Sequence, residues 1–147
     1  LVIVGEGGER EHLEKMAHDL GIEDQVHMPG LTNQIDHYYG RASLFVLSSR
    51  YEGFPNALAE AMAGGLPSIS FDCEFGPAKM IRHRENGLLV APGDVEALSQ
   101  SISFVAENPE VREKWGKQAQ EDINRLLNPE RVMGLWDRHL EKVLASK

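Results

Sequence analysis

The chain has 147 residues, 41% hydrophobic and 26% charged, and by length reads as one domain able to bury roughly two-thirds of its unfolded surface. A net charge of −8 argues against nucleic-acid binding, which needs a positive face, and no apolar run approaches the roughly 20 residues of a membrane span. The single cysteine, Cys73, fits a reducing compartment, and the six scattered histidines lack a pair at zinc-ligand spacing.

Leu1–Val4 is an apolar run that predicts a strand. The chain opens inside it without an initiating Met, and is expected to be a fragment of a longer protein. A Gly-rich turn follows, then a helix near Glu9–Leu20 stopped by Gly21. A strand near Val26–Met28 and a helix near Gln34–Tyr39 come next. Leu44–Leu47 predicts a buried strand, 56–63 a helix ended by Gly64-Gly65, and Pro67–Phe71 another strand. Ala78–His83 reads as a short helix and Gly87–Val90 as the last strand. Asp94 is a good N-cap for a helix over Val95–Glu107. Helices over Pro109–Leu126 and Pro129–Ala145, each entered through a proline, finish the chain. Strand–helix alternation with short connections implies βαβ units: an α/β, Rossmann-like, three-layer fold whose parallel sheet carries helices on both faces. Ligands on such sheets lie at the carboxyl ends of the strands, which directs attention to loops 5–9, 29–33, 48–56, 72–78 and 91–94.

The most informative of these is Glu52-Gly53-Phe54-Pro55-Asn56-Ala57-Leu58-Ala59-Glu60. It predicts a loop entering a helix, with one carboxylate in the loop and the other about one turn into the helix. Backbone N–H groups of residues 54–58 would be unpaired donors at the positive end of a helix dipole, a site suited to phosphate. The carboxylates would repel phosphate but suit hydroxyl groups, such as those of a sugar and a ribose. The alternative is two exposed acids favoured by the helix dipole.

Gly5-Glu6-Gly7-Gly8-Glu9-Arg10 sits where a dinucleotide fingerprint would, yet Arg10 replaces its third glycine, which disfavours a nicotinamide-binding domain. Gly5 and Gly7 read either as a turn needing positive φ or as a contact to a phosphorylated ligand. Cys73 reads as a small buried hydrophobe, and Trp115 and Trp136 as packing residues. Lys79, Arg82, His83 and Arg84 read as dipole-matched surface at a short helix end, the alternative being a site for phosphate or an anionic lipid headgroup.

The segment EGFPNALAEAMAGGLP resembles the E-x7-E signature of retaining glycosyltransferases of the GT-B fold. IVGEGGEREHLE, VHMPGL and ENGLLVAPGDVEAL are similar to further segments of that family, in the same order, from Leu1 to about Glu107. The resemblance implies the C-terminal, donor-binding half of such an enzyme, taking a nucleotide-diphosphate sugar, with uridine the expected base. Glu52 would contact the donor sugar near the reacting carbon as a positioning and electrostatic group. Backbone amides around Gly53, Phe54, Pro55, Asn56, Ala57 and Leu58 would hold sugar and diphosphate, and Glu60 the ribose. Gly30 and Leu31 would lie near the base. The resemblance further implies no metal and no cofactor. The glycan or lipid-linked acceptor would bind through an N-terminal domain absent from this chain. Also absent would be the first βα unit, with the Arg and Lys that clamp the diphosphate. The chain alone is therefore expected to fold marginally, to bind nucleotide weakly and not to turn over. A cytoplasmic protein is expected, with peripheral association of the full-length form at the inner membrane. A non-catalytic nucleotide-sugar-binding module is the competing reading.

Overall fold

In a computed structural model, which describes residues 1–145, the fold is α/β with every paired strand parallel. The residues group into two compact units, Leu1–Tyr38 and Tyr39 onward.

In the first unit, β1 (Val2–Val4) pairs with β2 (His27–Gly30), with a register shift between Val2↔His27 and Val4↔Gly30. Between them runs α1 (Arg10–Asp19), ended by Gly21 at φ 65°, whose N–H donates to the His18 carbonyl at 2.9 Å. That is the left-handed stop for which glycine is suited. Helix α2 (Ile35–Tyr39) leads into the second unit.

The second unit holds β3 (Phe45–Leu47), β4 (Ser68–Phe71) and β5 (Gly87–Val90) in that spatial order. Helix α3 (Asn56–Ala63) joins the first two strands and α4 (Pro77–Met80) the last two. Helices α5 (Val95–Glu107), α6 (Pro109–Leu126) and α7 (Pro129–Ala145) follow. Strand side chains alternate between two cores. Phe45, Leu47 and Leu89 pack with Leu58 and Met62 of α3 and Ala119 and Ile123 of α6. Val46, Ile69, Phe71, Leu88 and Val90 pack with Leu98 and Val105 of α5 and Trp115. Helices therefore cover both faces of this sheet. Leu58, Met62, Ile69 and Val105 are fully buried, each stabilising the fold by about 1.5–3 kcal/mol relative to exposure.

Register places Ser68 and Ser70 on the α3 side, both fully buried, with hydroxyls donating to the Leu66 carbonyl at 3.2 Å and the Phe71 carbonyl at 2.8 Å. Helix α3 stops at Gly64, and Gly65 follows at φ 78°. There α6 comes so close that a Cβ on Gly116 would run into the Gly65 carbonyl oxygen. Asp94 caps α5 as its position implied, Oδ1 accepting from Ala97 N–H at 2.9 Å.

Two expectations need correction. Helix α4 ends at Met80, so Arg82, His83 and Arg84 lie beyond it, in the turn before β5. The cause is Asn86, fully buried, which accepts from Arg82 N–H at 2.7 Å and donates to the Met80 carbonyl at 3.1 Å, replacing helical partners. Trp115 is buried, but Trp136 is 58% exposed: α7 has no buried residue, and its apolar stripe faces outward. Among the described residues, no helix is long and apolar enough to cross a membrane.

Candidate functional site at the start of helix α3

The loop after β3 carries Glu52 and enters α3 through Pro55, which is fully buried at the N-cap position without a side-chain cap. Asn56 N–H donates to the Phe54 carbonyl at 2.9 Å, so this amide is already used and is not one of the free donors expected over 54–58. Ala59 N–H donates to the Pro55 carbonyl at 3.1 Å. Among the described residues, Ala57 and Leu58 are left as first-turn amides with no backbone acceptor, the donors that favour an anion.

The loop after β4 fixes this entrance from the side. Gly76 lies at φ 110°, and a Cβ there would collide with the Pro55 ring, its Cγ 3.0 Å away. A second contact joins the same two loops: the Tyr51 and Phe75 rings meet edge to face, centroids 6.4 Å apart. Only glycine permits both the backbone conformation and the close approach at residue 76. Cys73 in this loop is buried, as its reading as a small hydrophobe implied.

Glu52 is half-buried and makes no ion pair or hydrogen bond among the described residues, so its carboxylate is open to a ligand's hydroxyls. Glu60 is exposed on α3 but oriented. The Tyr39 hydroxyl lies 3.2 Å from Glu60 Oε2 and 3.3 Å from the Ala57 carbonyl oxygen, sharing its one hydrogen between them. The Tyr39 ring is itself set edge to face against Phe45 of β3. Tyr39 escaped the sequence reading because 21 residues separate it from Glu60. Phe54, Asn56, Ala59 and Glu60 line one wall of a groove of about 530 Å³; Ile123, Asn124, Leu127 and Asn128 are on the other. The structure thus brings Glu60, Phe54 and Asn56 to one groove, with Pro55 buried beneath the entrance.

Within the first unit, Gly5 and Gly30 come together: Gly5 N–H donates to the Gly30 carbonyl at 3.0 Å. Both have positive φ, 134° and 80°, which is the turn alternative for Gly5. The Gly7 carbonyl accepts from Arg10 N–H at 3.1 Å, and Leu31 is 81% exposed. Arg10 is a structural clasp. Its guanidinium donates to the Met28 carbonyl at 2.8 Å and pairs with Glu6 and Glu14, tying α1 to β2 where a dinucleotide fingerprint would need a bare glycine.

Away from the strand ends, Asp122 of α6 is a second polar centre that sequence reasoning missed. Its side chain, 10% exposed, accepts from Arg82 Nε at 3.0 Å, Asn86 at 3.0 Å, Gln118 at 3.2 Å and Arg125 at 2.8 Å. Burial pushes its carboxyl up, but hydrogen bonds from Arg82, Asn86 and Gln118 and the charge of Arg82 outweigh it and hold the group below the usual carboxylate range.

Residues 1–122 match the family described as glycosyl transferases group 1. An uncharacterized glycosyltransferase of Haemophilus influenzae is 39% identical over 111 residues, covering 76% of this chain and 31% of that protein. The lipopolysaccharide core biosynthesis glycosyltransferase LpsE of Rhizobium meliloti is 31% identical over 147 residues, all of this chain and 42% of that protein. Among solved structures, a mutant of TarM from S. aureus in complex with Fondaparinux, alpha-GlcNAc-glycerol and UDP superposes with a TM-score of 0.89 at 27% identity, covering 93% of this chain and 28% of that one. The chain therefore spans less than half the length of each of these relatives. The fold is that of the C-terminal half of a GT-B glycosyltransferase, and the chain belongs to the glycosyl transferases group 1 family.

Proposed function

We propose that this chain supplies donor binding to a retaining glycosyltransferase, which moves a sugar from a nucleotide-diphosphate sugar to a glycan or lipid-linked acceptor during polysaccharide or glycoconjugate assembly. One observation carries the reading: the amides of Ala57 and Leu58 at the start of α3 have no acceptor among the described residues, and in the chain they follow an unpaired carboxylate, Glu52, and precede an oriented one, Glu60. A diphosphate fits the amides, and hydroxyl-rich groups fit the acids. The S. aureus relative solved with UDP supports uridine as the base.

In this scheme the α3 amides and dipole take up charge as the bond between the anomeric carbon and the phosphate oxygen breaks. The acceptor oxygen bonds to the same face of that carbon and gives its proton to the departing phosphate. Glu52 aligns the sugar through its hydroxyls, Glu60 holds the ribose, Gly30 and Leu31 flank the base, and Gly5 and Gly7 approach phosphate. No metal or cofactor is included. The acceptor-binding domain and the basic clamp belong to a longer protein, cytoplasmic and peripheral at the inner membrane.

Glu52→Ala in the full-length protein tests the reading. Transfer should fall by at least about a hundredfold while UDP affinity changes less than about threefold, as for a group acting in the transition state. Unchanged transfer would instead favour a non-catalytic nucleotide-sugar-binding module. Titration with UDP against NAD separates both from a dinucleotide-binding domain.

A further inference from the structure

The turn before β5 and one face of α6 flank a half-open polar pocket of about 370 Å³ lined by Arg82, Arg84, Glu85, Lys114, Gln118 and Arg125. The turn precedes β5, so it sits at the amino end of a parallel sheet, opposite the end where the α3 entrance lies. Its charges do not cancel. Asp122 is shared by Arg82 and Arg125, and Glu85 pairs with Arg82 at 2.8 Å. Arg84 and Lys114 have no acidic partner among the described residues. Four cations against two carboxylates leave a local charge of +2 in a chain of net charge −8.

The wall is also built rather than loose. Arg84 holds a left-handed backbone, φ 65°, the only described non-glycine residue to do so, with its N–H donating to the Gly87 carbonyl at 2.8 Å. Asn86 locks the turn from below, and Asp122 fixes the guanidinium groups of Arg82 and Arg125. Backbone strain of this sort persists where surrounding structure enforces it and concentrates at functional positions. Guanidinium groups match the oxygens of a phosphoryl group in paired hydrogen bonds, and a doubly charged anion would neutralise the excess.

We propose that Arg82, Arg84, Lys114 and Arg125 form an accessory site for a phosphoryl group, remote from the α3 entrance. The same chemistry is offered by a phospholipid headgroup and by free phosphate. The inference stands independently of the transferase reading.

The test uses the full-length protein and the double variant Arg84→Asn/Lys114→Gln, which removes the two unpaired cations and places at 84 a residue that tolerates the left-handed conformation. Inorganic phosphate is titrated by calorimetry with UDP saturating, and flotation is measured on phosphatidylcholine vesicles with and without phosphatidylglycerol. Wild type should bind at least one probe, the double variant about tenfold more weakly, with UDP affinity unchanged. Phosphate binding without flotation assigns the site to free phosphate, and flotation only with phosphatidylglycerol assigns it to headgroups. The charge-preserving pair Arg84→Lys/Lys114→Arg, which keeps both charges and one free guanidinium group, should lose less binding than the neutral double variant. If wild type binds neither probe, or if the double variant binds both as wild type does, the proposal is overturned.

Discussion

The hydroxyl of Tyr39 lies 3.2 Å from Glu60 Oε2, so a carboxylate on the exposed side of α3 is aimed by a side chain packed on β3. The proposed ribose-binding role of Glu60 requires a fixed orientation, and this contact provides one without neutralising the charge.

Tyr39→Phe removes that aim and keeps the ring packing. UDP affinity should fall about three- to tenfold, corresponding to one net hydrogen bond, while stability changes by less than about 1 kcal/mol. Calorimetric titration alongside urea denaturation checks it; equal affinity would reduce Tyr39 to a packing residue.

Gly76→Ala sets a methyl against the Pro55 ring and forces an alanine to φ 110°. The cost should be about 1–3 kcal/mol in stability, and nucleotide binding should suffer because the loop before α3 must shift. An alanine variant with wild-type melting temperature and affinity would show that the two loops are not locked together.

Asp122 makes stability depend on acid. Its folded carboxyl lies below the unfolded value, so its contribution is complete above about pH 4 and is lost as pH falls through the lowered folded value. Asp122→Asn should flatten the acid limb of the unfolding curve. Asp122→Ala should cost about 3 kcal/mol near neutrality, because Arg82 and Asn86 lose their acceptor. Parallel wild-type and Asn curves below pH 4 would contradict this account.

Restoring the fingerprint glycine should not create a dinucleotide site. Arg10→Gly removes the links to Glu6, Glu14 and the Met28 carbonyl and should destabilise the first unit by about 1–2 kcal/mol without measurable NAD binding. Micromolar NAD affinity in this variant would reopen the nicotinamide reading.

What the sequence made legible was local. The apolar runs before Gly5 and over 44–47, the Asp94 cap and the Gly64-Gly65 stop each depend on neighbours within a few residues, and each stands where expected. The family and the α/β fold followed from the order of such segments. What escaped needed contacts across the chain. Tyr39 meets Glu60 over 21 residues, and Asp122 meets Arg82 over 40. The 78–83 helix was overextended because Asn86, outside the predicted span, captures its end. The outward stripe of α7 had the period of a buried helix, and period alone does not say whether a partner is present.

Asp122 joins pieces of backbone far apart in sequence through one carboxylate, and this bears on how the molecule breathes. The 82–86 turn cannot open without surrendering Arg82 and Asn86, and the last third of α6 cannot fray without surrendering Asp122. Their amides should therefore exchange with solvent deuterium as a single cooperative group, while the first turn of α3, held instead by the Pro55 ring and the buried Leu58, opens on its own schedule.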